Sequence, residues 1–466
     1  MYRYAIEYLN EWFSRENRKP LIIRGARQVG KTTLIRLFAK RENIELIEVN
    51  MEDPQSFTSL LQNNQPQEIF ELLALERKLT ELQPDKTLIF FDEVQETPEI
   101  IPFLRYCYER SNSIRVICAG SLLEFSLGDS KTSFPVGRIE YMYLNPMSFD
   151  EYIHAVAGQG LYNKLTGFSI SAPISAPIHT LLTQHFREYL ICGGMPESVK
   201  AKAKGATILE IERIKSSIIE SYSADFPKYT KYITHRPDTS LLLELFEKLP
   251  NFVGKKITYS KLSPTNTAAK VNKHIKHLEQ ALIVKKCMHT SAQYPPLKSG
   301  INEKIFKLIV LDVGLLQTQL GVSIADIKSS SDVNKLAKGE LAEQYIGQQI
   351  LALKPFFIKP QLYHWSRTAH GSEAEVDYLI EFNGNIYPLE VKAGTSNTMR
   401  SLKLLQIEKK FPIAFRFYSG EAKQEKQTVL INDNKFTYTL ISLPHYACNQ
   451  LKSVLEELNK PSQIKY

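Results

Sequence analysis

At 466 residues the chain is long enough for about three domains, and a composition with 43% hydrophobic and 23% charged residues excludes a disordered or fibrous protein. No apolar run reaches the roughly 18 residues of a membrane span, and the start Met1-Tyr2-Arg3-Tyr4-Ala5-Ile6 lacks a secretory signal pattern; the expectation is a cytoplasmic protein with no membrane partner. The net charge of +8 is uneven, since residues 251–300 hold nine Lys against one acid, Glu279.

The five cysteines are scattered and never form a CxxC pair, so ordinary thiols are expected rather than disulfides or a zinc site. Ala5, Leu9 and Trp12-Phe13 lie at helical spacing and predict a short amphipathic helix over 4–13. From Leu21 to Ser121, short apolar runs (Leu21–Ile23, Ile44–Val49, Leu88–Phe91, Val116-Ile117) alternate with helix-length stretches, the pattern of a parallel sheet with crossover helices. The fold class is therefore α/β.

Gly25-Ala26-Arg27-Gln28-Val29-Gly30-Lys31-Thr32 fits G-x-x-x-x-G-K-[ST], follows an apolar strand and opens a helix-like run from Thr33. Glycines let backbone N–H groups curl round phosphate oxygens, Lys31 supplies charge to the β and γ phosphates, Thr32 ligates Mg²⁺, and the helix N-terminus adds its dipole. These residues, with Thr33, are the expected ATP-binding set. The strand Leu88-Ile89-Phe90-Phe91 ends in Asp92-Glu93; Asp92 is expected to hold the metal and Glu93 to act as general base on the attacking water.

Residues 158–178 carry a tandem Ser-Ala-Pro-Ile repeat, Ser171–Ile174 and Ser175–Ile178, whose prolines predict an exposed loop between helices. Residues 180–250 read as helical with breaks at Gly193-Gly194 and near Pro227, a lid or connector.

The P-loop, Asp92-Glu93, the strand from Val116 to Ser121, Val136-Gly137-Arg138, Leu144 to Tyr152 and Cys192-Gly193-Gly194-Met195-Pro196-Glu197 together resemble prokaryotic AAA-type ATPases with a C-terminal domain of unknown function. That resemblance implies Ser121 as a γ-phosphate sensor and Arg138 as an arginine finger, in cis or, in a homo-oligomer, in trans. The alternatives are a structural ion pair for Arg138 and a helix cap for Ser121.

Within residues 256–286, a short helix near Tyr259–Leu262, a Pro-Thr-Asn-Thr turn and a longer helix with Val271, Ile275, Leu278 and Leu282 on one face predict a winged-helix-like unit. Its other side is expected to present Lys270, Lys273, His274 and His277, with Lys276 at the edge, so DNA or RNA could bind through residues 255–286. A spacer or protein-contact module is the alternative, and the two histidines are read as surface residues rather than metal ligands.

Residues 331–445 read as a separate α/β module. Asn383-Gly384 between alternating runs predicts a two-residue hairpin with Asp377 opposite Glu390 and Glu375 opposite Lys392, all four on one face. Opposed carboxylates call for a cation, Mg²⁺ or Mn²⁺, and Lys392 could orient a water or stabilise a phosphate. Asp377 followed by Glu390-x-Lys392 resembles the PD-(D/E)XK nuclease superfamily, which implies Glu343 as the preceding helix acid. The alternatives are a salt-bridged hairpin, with Lys392 neutralising Glu375, and a retired nuclease fold used to bind a protein partner.

The expected architecture is an AAA-type P-loop core over 1–155, a helical lid or connector over 156–250, a winged-helix-like basic segment over 251–325 and a nuclease-like α/β domain over 326–466. The expected activity is ATP turnover coupled to metal-dependent nucleic-acid binding or cleavage, the alternative being an ATP switch.

Overall fold

The computed structural model describes residues 1–52, 61, 65–128, 137–232, 237–322, 339–369, 372–394, 399–431 and 434–459. Val136 of the Val-Gly-Arg segment lies outside them.

Strands β1 (Leu21–Arg24), β2 (Glu45–Asn50), β3 (Thr87–Asp92), β4 (Arg115–Ala119) and β5 (Glu140–Tyr143) form a five-stranded sheet in the order β2-β3-β4-β1-β5. Every pairing in it is parallel, and β3 and β4 are buried throughout, as continuous apolar runs covered on both faces require. The first helix runs Tyr4–Ser14 and buries Ala5, Ile6, Leu9, Trp12 and Phe13. β5 was not legible as a strand because Glu140-Tyr141-Met142-Tyr143 is half polar at an edge.

Helices Gln159–Thr166, Ala176–Cys192, Pro196–Ala203, Ile208–Tyr232 and Thr239–Lys248 follow the core. The loop expected over 158–178 is narrower than predicted: Gln159–Thr166 is helical, and Pro177 sits at the first turn of the next helix, where its missing N–H costs nothing. Pro227 does not break its helix either. Phe226 and Tyr229 on either side of it are buried, so tertiary packing holds the helix where the local hydrogen bond is missing. The break at Gly193-Gly194 is real.

An eight-stranded sheet in the order β12-β13-β11-β10-β9-β8-β6-β7 makes up the C-terminal half. Its strands are β6 (Val284–Thr290), β7 (Ile301–Val310), β8 (Leu362–Ala369), β9 (Ser372–Phe382), β10 (Asn385–Val391), β11 (Ile413–Tyr418), β12 (Lys423–Ile431) and β13 (Asn434–Pro444). β6 pairs with β8, so the sheet runs across residue 325, where one domain was expected to end. The hairpin register is the predicted one, from Asn385 opposite Phe382 to Leu389 opposite Tyr378, and Asn383 and Gly384 both have positive φ (47° and 72°), as a primed turn demands. All five cysteines are free and buried, and no described helix is long and apolar enough to cross a membrane.

Asp150 ties the two halves together: it is buried and accepts from Tyr4 Oη (3.2 Å) and Gln450 Nε2 (2.9 Å). Burial, only partly offset by those bonds, pushes its carboxyl up to about 7. A carboxyl raised in the folded state contributes most below its unfolded value near 4 and loses that contribution as pH rises through about 7. The denaturation midpoint is therefore expected to fall between pH 5.5 and 8, and Asp150→Asn to remove about 2 kcal/mol of that fall. An equal fall in both proteins would refute this assignment.

Candidate functional site

The nucleotide loop leaves β1 and turns at Gln28 and Gly30, both at positive φ (63° and 89°), into helix Lys31–Glu42. Gly25 has no room for a side chain, since a Cβ there would lie 2.7 Å from the Leu144 carbonyl oxygen. Ala26 and Val29 are buried beneath the loop, while Thr33 faces solvent. Lys31 Nζ donates to the Gly25 and Ala26 carbonyls at 2.9 Å each, which fixes the ammonium at the loop's mouth. Burial, against the pull of Glu93 and Asp92, lowers its pKa to about 8.

Across from it, Thr32 Oγ1 donates to Asp92 Oδ2 at 2.5 Å, so the two expected Mg²⁺-holding groups stand side by side. Burial raises the Asp92 carboxyl. Glu93 occupies the left-handed region (φ 52°), and its Oε2 accepts from Gln95 Nε2 (2.8 Å) and Ser121 Oγ (3.4 Å). Gly120 admits Gln95, because a Cβ there would fall 2.3 Å from the Gln95 Oε1. Gln95, which holds the Glu93 carboxylate, was not read from the sequence. Its only signal is the position two residues after Glu93.

Arg138 is not part of this cluster. The register sets Leu21 opposite Glu140, so Arg138 lies at the end of the sheet away from the P-loop, which follows Arg24. There its Nε donates to Glu109 Oε1 at 3.0 Å, with the guanidinium 5.8 Å from the Tyr108 ring centroid. A finger role in cis is ruled out, and within the chain the residue serves as a surface ion pair.

Helices Pro196–Ala203 and Ile208–Tyr232 contact the loop. Arg27 Nη1 donates to Asp225 Oδ1 (2.6 Å), Tyr222 Oη to the Arg27 carbonyl (2.7 Å), and Gln28 Nε2 to Ser221 Oγ (3.0 Å). Pro196 sits 3.3 Å from where a Gly30 Cβ would be.

These features define a P-loop on a five-stranded parallel sheet, and residues 17–153 match the family described as "AAA domain". No curated protein matches the chain. Residues 183–326 and 338–440 match families described as "Domain of unknown function (DUF8612)" and "Domain of unknown function (DUF4143)". Among solved structures, the chain is similar to the Thermotoga maritima RuvB Holliday junction branch migration motor (12% identity, TM-score 0.26, 61% of this chain and 90% of that one). It is also similar to AMPPCP-bound DnaA from Aquifex aeolicus (14% identity, TM-score 0.25, 59% of this chain and 87% of that one).

Far from the nucleotide loop in sequence, two hairpin acids and a helix acid form a second cluster. Carboxylate oxygens of Glu343, Glu375 and Asp377 lie within 4.8 Å of one another. They surround Lys307, whose Nζ donates to Glu343 and lies 3.0 Å from Glu375 and 3.6 Å from Asp377. Lys392 therefore does not neutralise Glu375; it donates to Glu390 Oε1 at 2.6 Å. Asp377 Oδ2 accepts from Val391 N at 2.7 Å, which keeps Asp377 beside Glu390 on the neighbouring strand. Burial first, and Asp377 second, raise the Glu390 carboxyl; burial likewise raises Glu343. Lys307 was missed because a lone Lys inside Ile305-Phe306-Lys307-Leu308-Ile309 reads as a strand residue facing solvent.

The histidines of helix Ala268–Gln280 are a further correction. His274 and His277 are buried, not on the exposed side. His274 Nε2 accepts from the Asp238 N–H (2.9 Å) and Nδ1 donates to the Lys270 carbonyl (2.8 Å), while burial lowers the His277 pKa to about 4. A helix packed on two sides buries a wider arc than its apolar residues mark. Lys270, Lys273 and Lys276 are exposed as expected, with Lys270 paired to Asp238 at 2.9 Å.

Proposed function

We propose that the AAA domain binds ATP on Gly25–Thr33 and hydrolyses it, and that turnover licenses metal-dependent binding or cleavage of nucleic acid by the C-terminal domain. Lys31 and the loop amides hold the phosphates, Thr32 and Asp92 hold the Mg²⁺ that accompanies the nucleotide, and Glu93, set by Gln95 and Ser121, takes the proton of the attacking water. Ser121, bonded to Glu93, would sense the γ-phosphate through it. Arg138 could act only on a neighbouring subunit of a homo-oligomer.

The observation that supports a C-terminal metal is charge. Among the described residues, Glu343, Glu375, Asp377 and Glu390 pair only with Lys307 and Lys392, and Glu390 Oε2 is buried without a partner. An unpaired buried carboxylate oxygen in an under-neutralised cluster fits a divalent cation held by Asp377 and Glu390. A bound Mg²⁺ or Mn²⁺ would supply Lewis acidity to a phosphodiester and a more acidic water. Lys392, fixed on Glu390, would stabilise developing charge on phosphate. Exposed Lys270, Lys273 and Lys276 of the winged-helix-like unit would track the backbone of DNA or RNA, and the setting would be the cytoplasm.

Cleavage of linear, circular and single-stranded DNA and of RNA, with ATP and Mg²⁺ or Mn²⁺, tests this reading beside Glu390→Ala and Lys31→Ala. Loss of cutting in Glu390→Ala establishes the nuclease, and loss in Lys31→Ala shows ATP control. One observation favours the second reading, an ATP switch whose C-terminal domain binds a protein: Lys307 already sits among three of the acids. Absence of cutting by the wild type on every substrate selects it.

A further inference from the structure

We infer that Lys307 stands in the place of a metal ion: its ammonium fills the cation position offered by Glu343, Glu375 and Asp377, so the C-terminal site takes at most one divalent cation, on the Asp377–Glu390 side.

The three carboxylates converge closely enough to ligate one ion, and the group found at their centre is the Lys307 Nζ. Lys307 is 1% exposed, delivered from β7 at the position opposite Cys287 of β6. The pocket is closed around it. The ammonium lies 5.4 Å from the Tyr378 ring centroid, Tyr378 Oη donates to the Glu343 backbone carbonyl at 2.9 Å, and the Gly254 backbone packs so tightly that a Cβ there would be 2.8 Å from Glu343 Oε2. A fixed ammonium and a divalent ion cannot share such a pocket, because like charges about 4 Å apart repel by several kcal/mol at a partly buried site.

Glu390 is the independent second observation. It makes no ion pair with Lys307; its Oε1 is held by Lys392, and its Oε2 is buried and unpartnered among the described residues. The inner acids are thus served by the protein's own cation and the outer pair is not. That asymmetry yields one metal where three converging acids and a fourth nearby would suggest two.

The assignment of the single outer metal rests on the proposed function, whereas the role of Lys307 does not. Mn²⁺ binding to the nucleotide-free full chain, followed by the signal of free Mn²⁺ in electron paramagnetic resonance, separates them. Wild type is expected to bind one Mn²⁺, lost in Glu390→Gln. Lys307→Gln is expected to bind one more than wild type, and that gain to disappear in Lys307→Gln/Glu375→Gln/Glu343→Gln. If wild type binds none and Lys307→Gln binds one, the metal-dependent reading fails and the inference about Lys307 holds. If Lys307→Gln gains no ion, the inference is overturned. Should that variant need metal to fold, refolding in Mn²⁺ against chelator reads the same gain, and failure in both, together with no gain in Lys307→Gln/Glu375→Gln, overturns it as well.

Discussion

Lys31→Ala is expected to abolish ATP binding, and Glu93→Gln to leave binding intact while turnover falls by at least about 100-fold, the lower end of what a positioned general base contributes. The two variants separate because the side chains meet different parts of the reaction. Lys31 is anchored on the Gly25 and Ala26 carbonyls, so its charge is preorganised where phosphates would lie, and its loss removes ground-state and transition-state attraction alike. Glu93 is held by Gln95 and Ser121 rather than by a hydrogen bond to the loop and matters chiefly once a water must lose its proton. Glutamine keeps the shape and both hydrogen-bond positions but cannot accept that proton. Nucleotide affinity by fluorescence titration and phosphate release on the same preparations check the pair. Ordinary hydrolysis by either variant would strip Lys31 or Glu93 of its role in the AAA domain.

How far this site could be read beforehand follows from how local its determinants are. The P-loop is contiguous, and Asp92-Glu93 ends an apolar strand, so nucleotide loop and acids were both visible before their contact through Thr32 and Asp92. The hairpin register was visible for the same reason, since Asn383-Gly384 dictates the turn and the turn dictates the pairing. Residues whose roles depend on distant partners were not. Lys307 finds its acids on another strand and a helix, Arg27 finds Asp225 in the lid, and the burial of His274 depends on Asp238 packing across the helix. The position of Arg138 was not legible for the complementary reason: a Gly-Arg pair gives no hint of which sheet end it occupies, which follows only from the pairing of β5 with β1.

The junction between lid and C-terminal sheet carries the other large effect. Asp312 is fully buried and its carboxylate accepts from Gly194 N (2.7 Å), Gly314 N (2.9 Å), Leu315 N (3.2 Å) and Gln348 Nε2 (3.0 Å). Gly193 and Gly194 make this approach feasible, because a Cβ on Gly193 would lie 2.0 Å from Asp312 Oδ1 and one on Gly194 would lie 2.1 Å from the Met147 carbonyl oxygen. Two residues further on, Pro196 abuts Gly30 of the nucleotide loop. On the other side Gln348 and Gln349 reach Tyr189, and Gln349 accepts from Phe149 N. Asp312→Ala strands four buried donors at once, so the loss in stability is expected to be about 3–5 kcal/mol, the scale for breaking a buried charged network. Asp312→Asn keeps the shape and one acceptor oxygen and is expected to fold. Because the contact joins the segment beside the P-loop to the helix carrying Glu343, Asp312→Asn is further expected to retain ATP turnover while losing any dependence of C-terminal activity on ATP. Thermal denaturation of both variants, with phosphate release and nucleic-acid assays on Asp312→Asn, decides it: a stable Asp312→Ala, or full ATP dependence in Asp312→Asn, would place the coupling elsewhere than this junction.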